Sequence, residues 1–169
     1  MSQPIVRIEG VTKRFGAITA VAGVDLDIER SELFAQTVRE LGFACPVFYS
    51  KRQNWEQHQR DLVSWLRELP KPAGVFAVND QMGFWVLDAA RRAGIAVPEE
   101  VAVVGAENDN MLCETASPPL SSVRLRGQTV GYHAAKLLDE WMTGKRIPKP
   151  GERHYHLPGD IVVRQSSDI

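Results

Sequence analysis

AGVFAVNDQMGFWVLDAARRAGIAVPEEVAVVGAEND, from Ala73 to Asp109, is the stretch that decides the fold. A short apolar run, Gly74 to Val78, turns through Asn79 and Asp80. Apolar residues then recur at helical spacing at Met82, Trp85, Val86, Ala89 and Ala93. Gly94 stops that helix, Pro98 follows, and a second apolar run, Val101 to Val104, ends at Gly105. The order strand, helix, strand predicts a βαβ unit, whose right-handed crossover sets both strands' carboxyl ends on one edge. Open α/β sheets bind ligands at that edge. Asn79 and Asp80 belong to one strand end, Glu107 to Asp109 to the other.

Composition bounds the rest. A chain of 169 residues with 44% hydrophobic and 24% charged residues fits one globular domain, or one and a fragment, and the strand-helix-strand pattern makes its class α/β. No apolar run approaches a membrane span, and MSQPIVRIEG lacks the apolar core of a signal peptide, so the expected location is cytoplasmic, with no membrane partner. A formal net charge of −1 supplies no general attraction for nucleic acid. Cys45 and Cys113 are too few for a disulfide framework and lack metal-ligand spacing; both read as buried small hydrophobes.

Outward from the central unit, Leu33, Phe34, Val38 and Leu41 form a helical stripe ending at Gly42, and Ala44 to Tyr49 reads as a strand made irregular by Pro46. Asn54 is placed to cap a helix whose apolar face is Leu62, Val63, Trp65, Leu66 and Leu69, ended by Pro70 and Pro72. After Asp109, MLCETASPPLSS reads as an extended connection because of Pro118 and Pro119. Leu120 to Leu125 is a short strand, Val130 to Trp141 an amphipathic helix stopped by Gly144, and Ile161 to Val163 a last strand. Toward the N-terminus, Val24, Leu26 and Ile28 alternate with acidic residues, and a turn at Gly16 predicts an antiparallel pair.

Two resemblances give these elements a context. PIVRIEGVTKRFGAITAVAGVDLDIER, about residues 4 to 30, resembles the opening of ATP-binding cassette transporter ATPases, in which an aromatic at the place of Phe15 stacks on adenine. The phosphate-binding GxxxxGK[ST] loop that should follow does not: the only Gly-Lys pair, Gly144 and Lys145, has Asp139 where the first glycine belongs. Residues 1–30 are therefore expected to be a truncated β segment without ATPase activity, Phe15 marking only a vestigial adenine position. From Ser31 to Asp168, AVNDQM, RRAGIAVPEEVAVVG, AENDN, SPPLSSV, VGYHAAKLLDEWMTG and VVRQSSD look like the effector-binding core of lactose and galactose repressor-type (LacI/GalR-type) regulators, and more specifically of xylose-operon regulators. The resemblance implies a periplasmic-binding-protein-like pair of lobes closing on a sugar. Residues 31–169 would be an incomplete sensor, mostly the C-terminal lobe: a parallel sheet flanked by helices, preceded by a short hairpin-like segment. It also implies truncation, since the DNA-binding domain of xylose regulators has no counterpart in this chain, and no direct DNA contact is expected.

On that resemblance Asn79 faces the sugar, its amide able to donate to one hydroxyl and accept from another. The residues alone leave another use open, in which Asn79 or Asp80 caps the next helix; the combined expectation is Asn79 facing the cleft and Asp80 capping. Glu107 stands where the family usually carries aspartate, and its extra methylene carries the carboxylate about 1.5 Å further out. Asn108 and Asp109 are alternative polar contacts, and all three also fit an exposed acidic loop. Of four tryptophans, Trp65, Trp85 and Trp141 sit in helical stripes and read as packing; Trp55 is the candidate for stacking on a sugar face. His154 and His156 form a pair with nothing spaced to complete a metal set, and Arg124, Arg126, Lys145, Arg146 and Lys149 read as a solvated face.

No nucleophile elbow or paired carboxylates support catalysis, so no enzyme, no cofactor and no metal are expected. The function expected is a pentose-sensing module, xylose being the model effector, with a small-molecule sugar as partner and homodimerisation through the sensor helices. The competing expectations are a fusion fragment without function, whose Val130 to Trp141 stripe would leave apolar surface exposed, and a transporter ATP-binding remnant without ATPase activity.

Overall fold

The computed structural model describes the backbone of residues 6–15 and 18–28 and the whole of 30–49, 54–145 and 156–168. In chain order the elements are β1 (Val6–Phe15), β2 (Ile18–Ile28), α1 (Arg30–Glu40), α2 (Trp55–Glu68), β3 (Ala73–Phe76), α3 (Asp80–Ala93), β4 (Val101–Glu107), α4 (Asn110–Thr115), β5 (Ser121–Arg124), α5 (Gly127–Met142) and β6 (Ile161–Val162). They divide into two compact units: residues 1–45 with 126–157, and residues 46–125 with 158–169.

The second unit is built on the βαβ pattern. Its sheet has the order β3-β4-β5-β6, parallel between β3, β4 and β5 and antiparallel at β6. α2 packs on α3, and α3 on β4. Leu62 and Leu66 from α2, Val86, Leu87, Ala89 and Ala90 from α3, Val75, Val101 and Val103 from the sheet, and Cys113, Ala116 and Leu120 beyond β4 make one buried cluster. Each fully buried leucine there contributes roughly 2 kcal/mol through lost apolar hydration. The helix ends follow from their residues. Asn54 Oδ1 accepts the Glu56 N–H at 2.9 Å and so starts α2, as its position predicts. Gly94 has a φ of +70°. It closes α3 by donating its N–H to the Ala90 and Arg91 carbonyls, the usual way a left-handed glycine ends a helix.

In the first unit β1 and β2 pair antiparallel, with register shifts along the ladder. The turn expected at Gly16 lies outside the described residues. Ala35 is the buried residue of α1, while Phe34 and Leu41 of the expected stripe are exposed. No residue of α5 is buried, and Val130 and Trp141 are 44% and 46% exposed.

Several expectations need correction. Ala44 to Tyr49 is not a strand: it takes part in no ladder among the described residues, and Pro46 has no N–H to give one. Phe48 is instead packed against the core of the second unit, its ring 5.6 Å from that of Trp65. β4 runs through Gly105 to Glu107, three residues beyond the apolar run. The connection after Asp109 opens with α4 before the proline pair takes over. Asp109 Oδ1 accepts the Leu112 N–H at 3.1 Å and so starts that turn. Cys113 is buried, but Cys45 only partly so.

Candidate functional site

The polar loops after β3 and β4 meet at one rim of the second unit. Parallel pairing of Ala73–Phe76 with Val101–Val104 fixes both carboxyl ends on the same edge. A direct bond then ties the loops, the Asp109 N–H donating to Asp80 Oδ2 at 2.7 Å. Asp80 Oδ1 accepts the Ser122 hydroxyl at 2.5 Å, and Ser122 Oγ accepts the Asn108 N–H at 3.0 Å. β5 is thereby joined to the same knot.

The structure gives the cap of α3 to Asn79 and not, as expected, to Asp80. Asn79 is the cap of α3, its Oδ1 accepting the Met82 N–H at 2.9 Å. Asp80 does not cap; it is fully buried beneath the rim, with both carboxylate oxygens bonded to neighbouring strand ends. The reason is steric as much as electrostatic. Gly105 lies so close that a Cβ there would meet Asp80 Oδ1, so glycine at this point of β4 makes room for the carboxylate. Asn79, half-buried and with its amide nitrogen turned away from the cap, is the one of the pair that remains at the surface.

Glu107 and Asn108 have φ of +111° and +55°, the left-handed region that L-residues seldom adopt. Two such residues in succession cost about 1–3 kcal/mol each, and persist because the surroundings hold them. The Asn108 side chain is gripped by Arg164, whose Nη1 and Nη2 each lie 3.1 Å from its Oδ1. Nη1 also donates to the Leu120 carbonyl at 2.9 Å. The segment after β6 is itself fastened down. Ser166 Oγ donates to the Val103 carbonyl at 2.6 Å and accepts the Ser121 N–H at 2.8 Å. Glu107 and Asp109 are exposed, Asn108 half-buried.

Cys113 lies beside this knot, fully buried. Burial first, then the Asp80 carboxylate, pushes its thiol up to about 11, because both disfavour the thiolate. Its thiol packs as a small buried side chain, with the thiolate disfavoured.

Trp55 is the first residue of α2, half exposed, with its ring 4.9 Å from Trp85 in an edge-on arrangement. A groove of about 550 Å³ on the face of α2 is lined by Trp55, Gln59, Val63, Arg67 and Arg92 among others, and by none of the rim residues. Both polar atoms of the Gln59 amide are buried without a hydrogen-bond partner among the described residues. His156 stacks on His133 with ring centres 5.0 Å apart, while His154, Arg146, Lys149 and the side chain of Phe15 lie outside what the structure describes. Arg124, Arg126 and Lys145 are exposed. Among the described residues no three His, Cys, Asp or Glu side chains are grouped to hold a metal ion, and no helix is long and apolar enough to cross a membrane.

Sequence reasoning missed Ser122, Arg164 and Ser166, the residues that brace the rim. They sit in the words SPPLSSV and VVRQSSD, which mark a resemblance but carry no local signal of a role; their bonding depends on partners 42 to 63 positions away.

A periplasmic binding protein-like domain model matches residues 9–167. The xylose operon regulatory protein of Haemophilus influenzae is 33% identical over 123 residues, covering 71% of this chain and 32% of that protein. Its counterpart in Escherichia coli is 31% identical over 143 residues, covering 83% and 36%. The chain thus spans about a third of the length of these relatives. Among solved structures, a xylose-binding transcription activator superposes with a TM-score of 0.71 at 30% identity, covering 83% of this chain and 37% of that one. A LacI family transcriptional regulator from an Arthrobacter species, in complex with lactose, gives 0.69 at 30% identity, covering 84% and 52%.

Proposed function

We propose, from the premise that the chain belongs to the periplasmic binding protein-like domain family, that it is a sugar-sensing effector module of a bacterial transcriptional regulator. A pentose such as D-xylose is the proposed effector. The observation that carries this reading is the rim: Asn79, Asn108 and Asp109 stand at the ends of adjacent parallel strands, held in register by Asp80 and Ser122. Asn79 and Asn108 each bring a side-chain amide, and Asp109 and Glu107 bring carboxylates. Amide donors beside carboxylate acceptors suit a ring of hydroxyls, each of which both donates and accepts. Trp55, half exposed in a groove that none of the rim residues line, is kept as a separate stacking candidate. The relatives described as xylose operon regulators favour a pentose.

Sensing would work by differential affinity: a sugar that contacts the rim in one arrangement of the protein more than in another shifts the population toward the first. The sugar is the partner this chain recognises, and base reading is assigned to no residue of it. Homodimerisation is proposed through α5, whose Val130, Tyr132, Trp141 and Met142 side chains are exposed. The same exposure favours the rival reading, a fusion fragment without function, which a cooperatively melting soluble protein with sugar affinity would remove. For residues 1–30 the transporter-ATPase-like reading is supported by the antiparallel pairing of β1 with β2. The family match, which begins at residue 9, weighs against it; micromolar ATP binding would restore it.

Isothermal titration with D-xylose, lactose and cellobiose tests the main reading. Saturable binding of D-xylose, weakened at least tenfold by Asn79→Ala, is expected. Binding of none of the three, or binding indifferent to Asn79, would overturn it.

A further inference from the structure

We propose that Arg164 is a positioning residue that decides which end of the Asn108 amide the rim offers, and with it the polarity of the ligand atom accepted there. A guanidinium only donates. With two of its nitrogens 3.1 Å from Asn108 Oδ1 and one also satisfying the Leu120 carbonyl, it fixes the amide oxygen inward. Asn108 Nδ2 is left on the other side, where it makes a long contact, 3.4 Å to Asn110 Oδ1. Asn79 is committed the same way by a different partner, since its oxygen takes the Met82 N–H at 2.9 Å. Both amides therefore meet a ligand with N–H groups. Asp109, one of whose oxygens caps α4, offers its other oxygen as an acceptor.

The pattern is two donors with the second Asp109 oxygen as an acceptor beside them. It fits a neutral polyol edge, in which two oxygens accept and a hydroxyl donates to the carboxylate. It disfavours a sugar acid, whose carboxylate would face the Asp109 carboxylate with like charge. The left-handed backbone at Glu107 and Asn108 makes the grip necessary: the loop is held by Asp80 and Ser122 through its N–H groups and by Arg164 through its side chain. Without Arg164 the amide is free to turn over and present oxygen to a ligand oxygen.

This inference rests on the sugar-sensing reading, and the test separates the two. The full chain and its Arg164→Lys and Asn108→Asp variants are compared by thermal melting, by ¹⁵N relaxation of the Asn108 side-chain amide, and by titration with D-xylose and D-xylonate. Arg164→Lys keeps the charge and loses the fork. It is expected to loosen the Asn108 amide and weaken D-xylose binding about tenfold. Asn108→Asp keeps an acceptor toward Arg164 and loses the outward donor, so it should melt at or above the wild-type temperature while binding about tenfold more weakly. D-xylonate should bind at least tenfold more weakly than D-xylose. An Asn108 amide as rigid in Arg164→Lys as in the wild type, or an Asn108→Asp variant that binds D-xylose undiminished, overturns the proposal. If the wild-type chain binds no D-xylose, the sensor reading fails, and the relaxation comparison alone decides the role of Arg164. If Arg164→Lys does not fold, the Asn108→Asp titration decides it.

Discussion

Removing the Asp80 carboxylate is the perturbation that bears hardest on the account of the rim. Asp80 is fully buried and accepts two hydrogen bonds, from the Asp109 N–H at 2.7 Å and the Ser122 hydroxyl at 2.5 Å. Hydrogen bonds to a charged group contribute about 1.5–3 kcal/mol each, so Asp80→Ala removes about 3–6 kcal/mol of favourable interaction and strands the Asp109 N–H. Relief from burying a charge offsets part of that, as it does whenever a buried ionic group is deleted, and the net expectation is a loss of about 3–4 kcal/mol. Asp80→Asn keeps the shape and one acceptor oxygen, which the Asp109 N–H claims because a backbone N–H cannot reverse. Its new NH2 group then faces Ser122 Oγ, which can rotate, so the loss falls to about 1–2 kcal/mol. Ser122→Ala alone should cost about 1.5–3 kcal/mol, and the Asp80→Ala, Ser122→Ala pair should fall short of additivity by at least about 1 kcal/mol, because the two share one bond. Urea unfolding of these variants beside the wild type measures all of this. A loss under about 1 kcal/mol for Asp80→Ala, or strict additivity with Ser122→Ala, would refute the claim that this carboxylate locks the loops together.

Other consequences follow from the same geometry. Glu107 has a φ of +111°. Glu107→Gly relieves it and should stabilise the fold by about 1 kcal/mol in urea while weakening D-xylose binding, since it removes a rim carboxylate; a destabilised variant would contradict it. Gly105→Ala puts a methyl against Asp80 Oδ1 and 3.1 Å from Leu120 Cδ2. It should cost about 1–3 kcal/mol, and an unchanged melting curve would mean the carboxylate has room to spare. Cys113 has a raised pKa, about 11 against an ordinary 9.0, so in alkali the unfolded chain loses its thiol proton before the folded chain does. The folded state then binds more protons, and stability present below pH 9 declines as pH rises toward 11, by up to about 3 kcal/mol from this group. Cys113→Ala should flatten that decline in unfolding experiments run between pH 8 and 11, and an equally steep decline in the variant would show that other groups cause it.

Much of the fold was legible because it rests on local signals. Asn54 and Gly94 announce the ends of α2 and α3, and the apolar stripe from Met82 to Ala93 between two short apolar runs has few meanings other than a crossover helix. The sheet edge carrying Asn79 and Asp109 followed from topology alone. What escaped notice was the identity of the cap and of the braces. Asn79 and Asp80 are adjacent and equally able to cap, and the choice is made by Ser122 and Gly105, which lie far along the chain and give the Asp80 carboxylate a partner and room. Arg164 reads as one more surface cation until the return of the chain past β6 brings it against Asn108. The strand expected at Ala44 to Tyr49 failed for a complementary reason: its apolar residues are real core contacts, as Phe48 is, but burial does not require a ladder.

The central claim, that the loops after β3 and β4 form a sugar-contacting rim, is tested most directly by following the backbone and side-chain amide resonances of ¹⁵N-labelled protein during a D-xylose titration. The account predicts saturable shifts concentrated at Asn79, at Glu107 to Asp109 and at the Asn108 side-chain amide. Saturable shifts that spare these residues and gather elsewhere, for example along the α2 groove at Gln59 and Arg67, would contradict it.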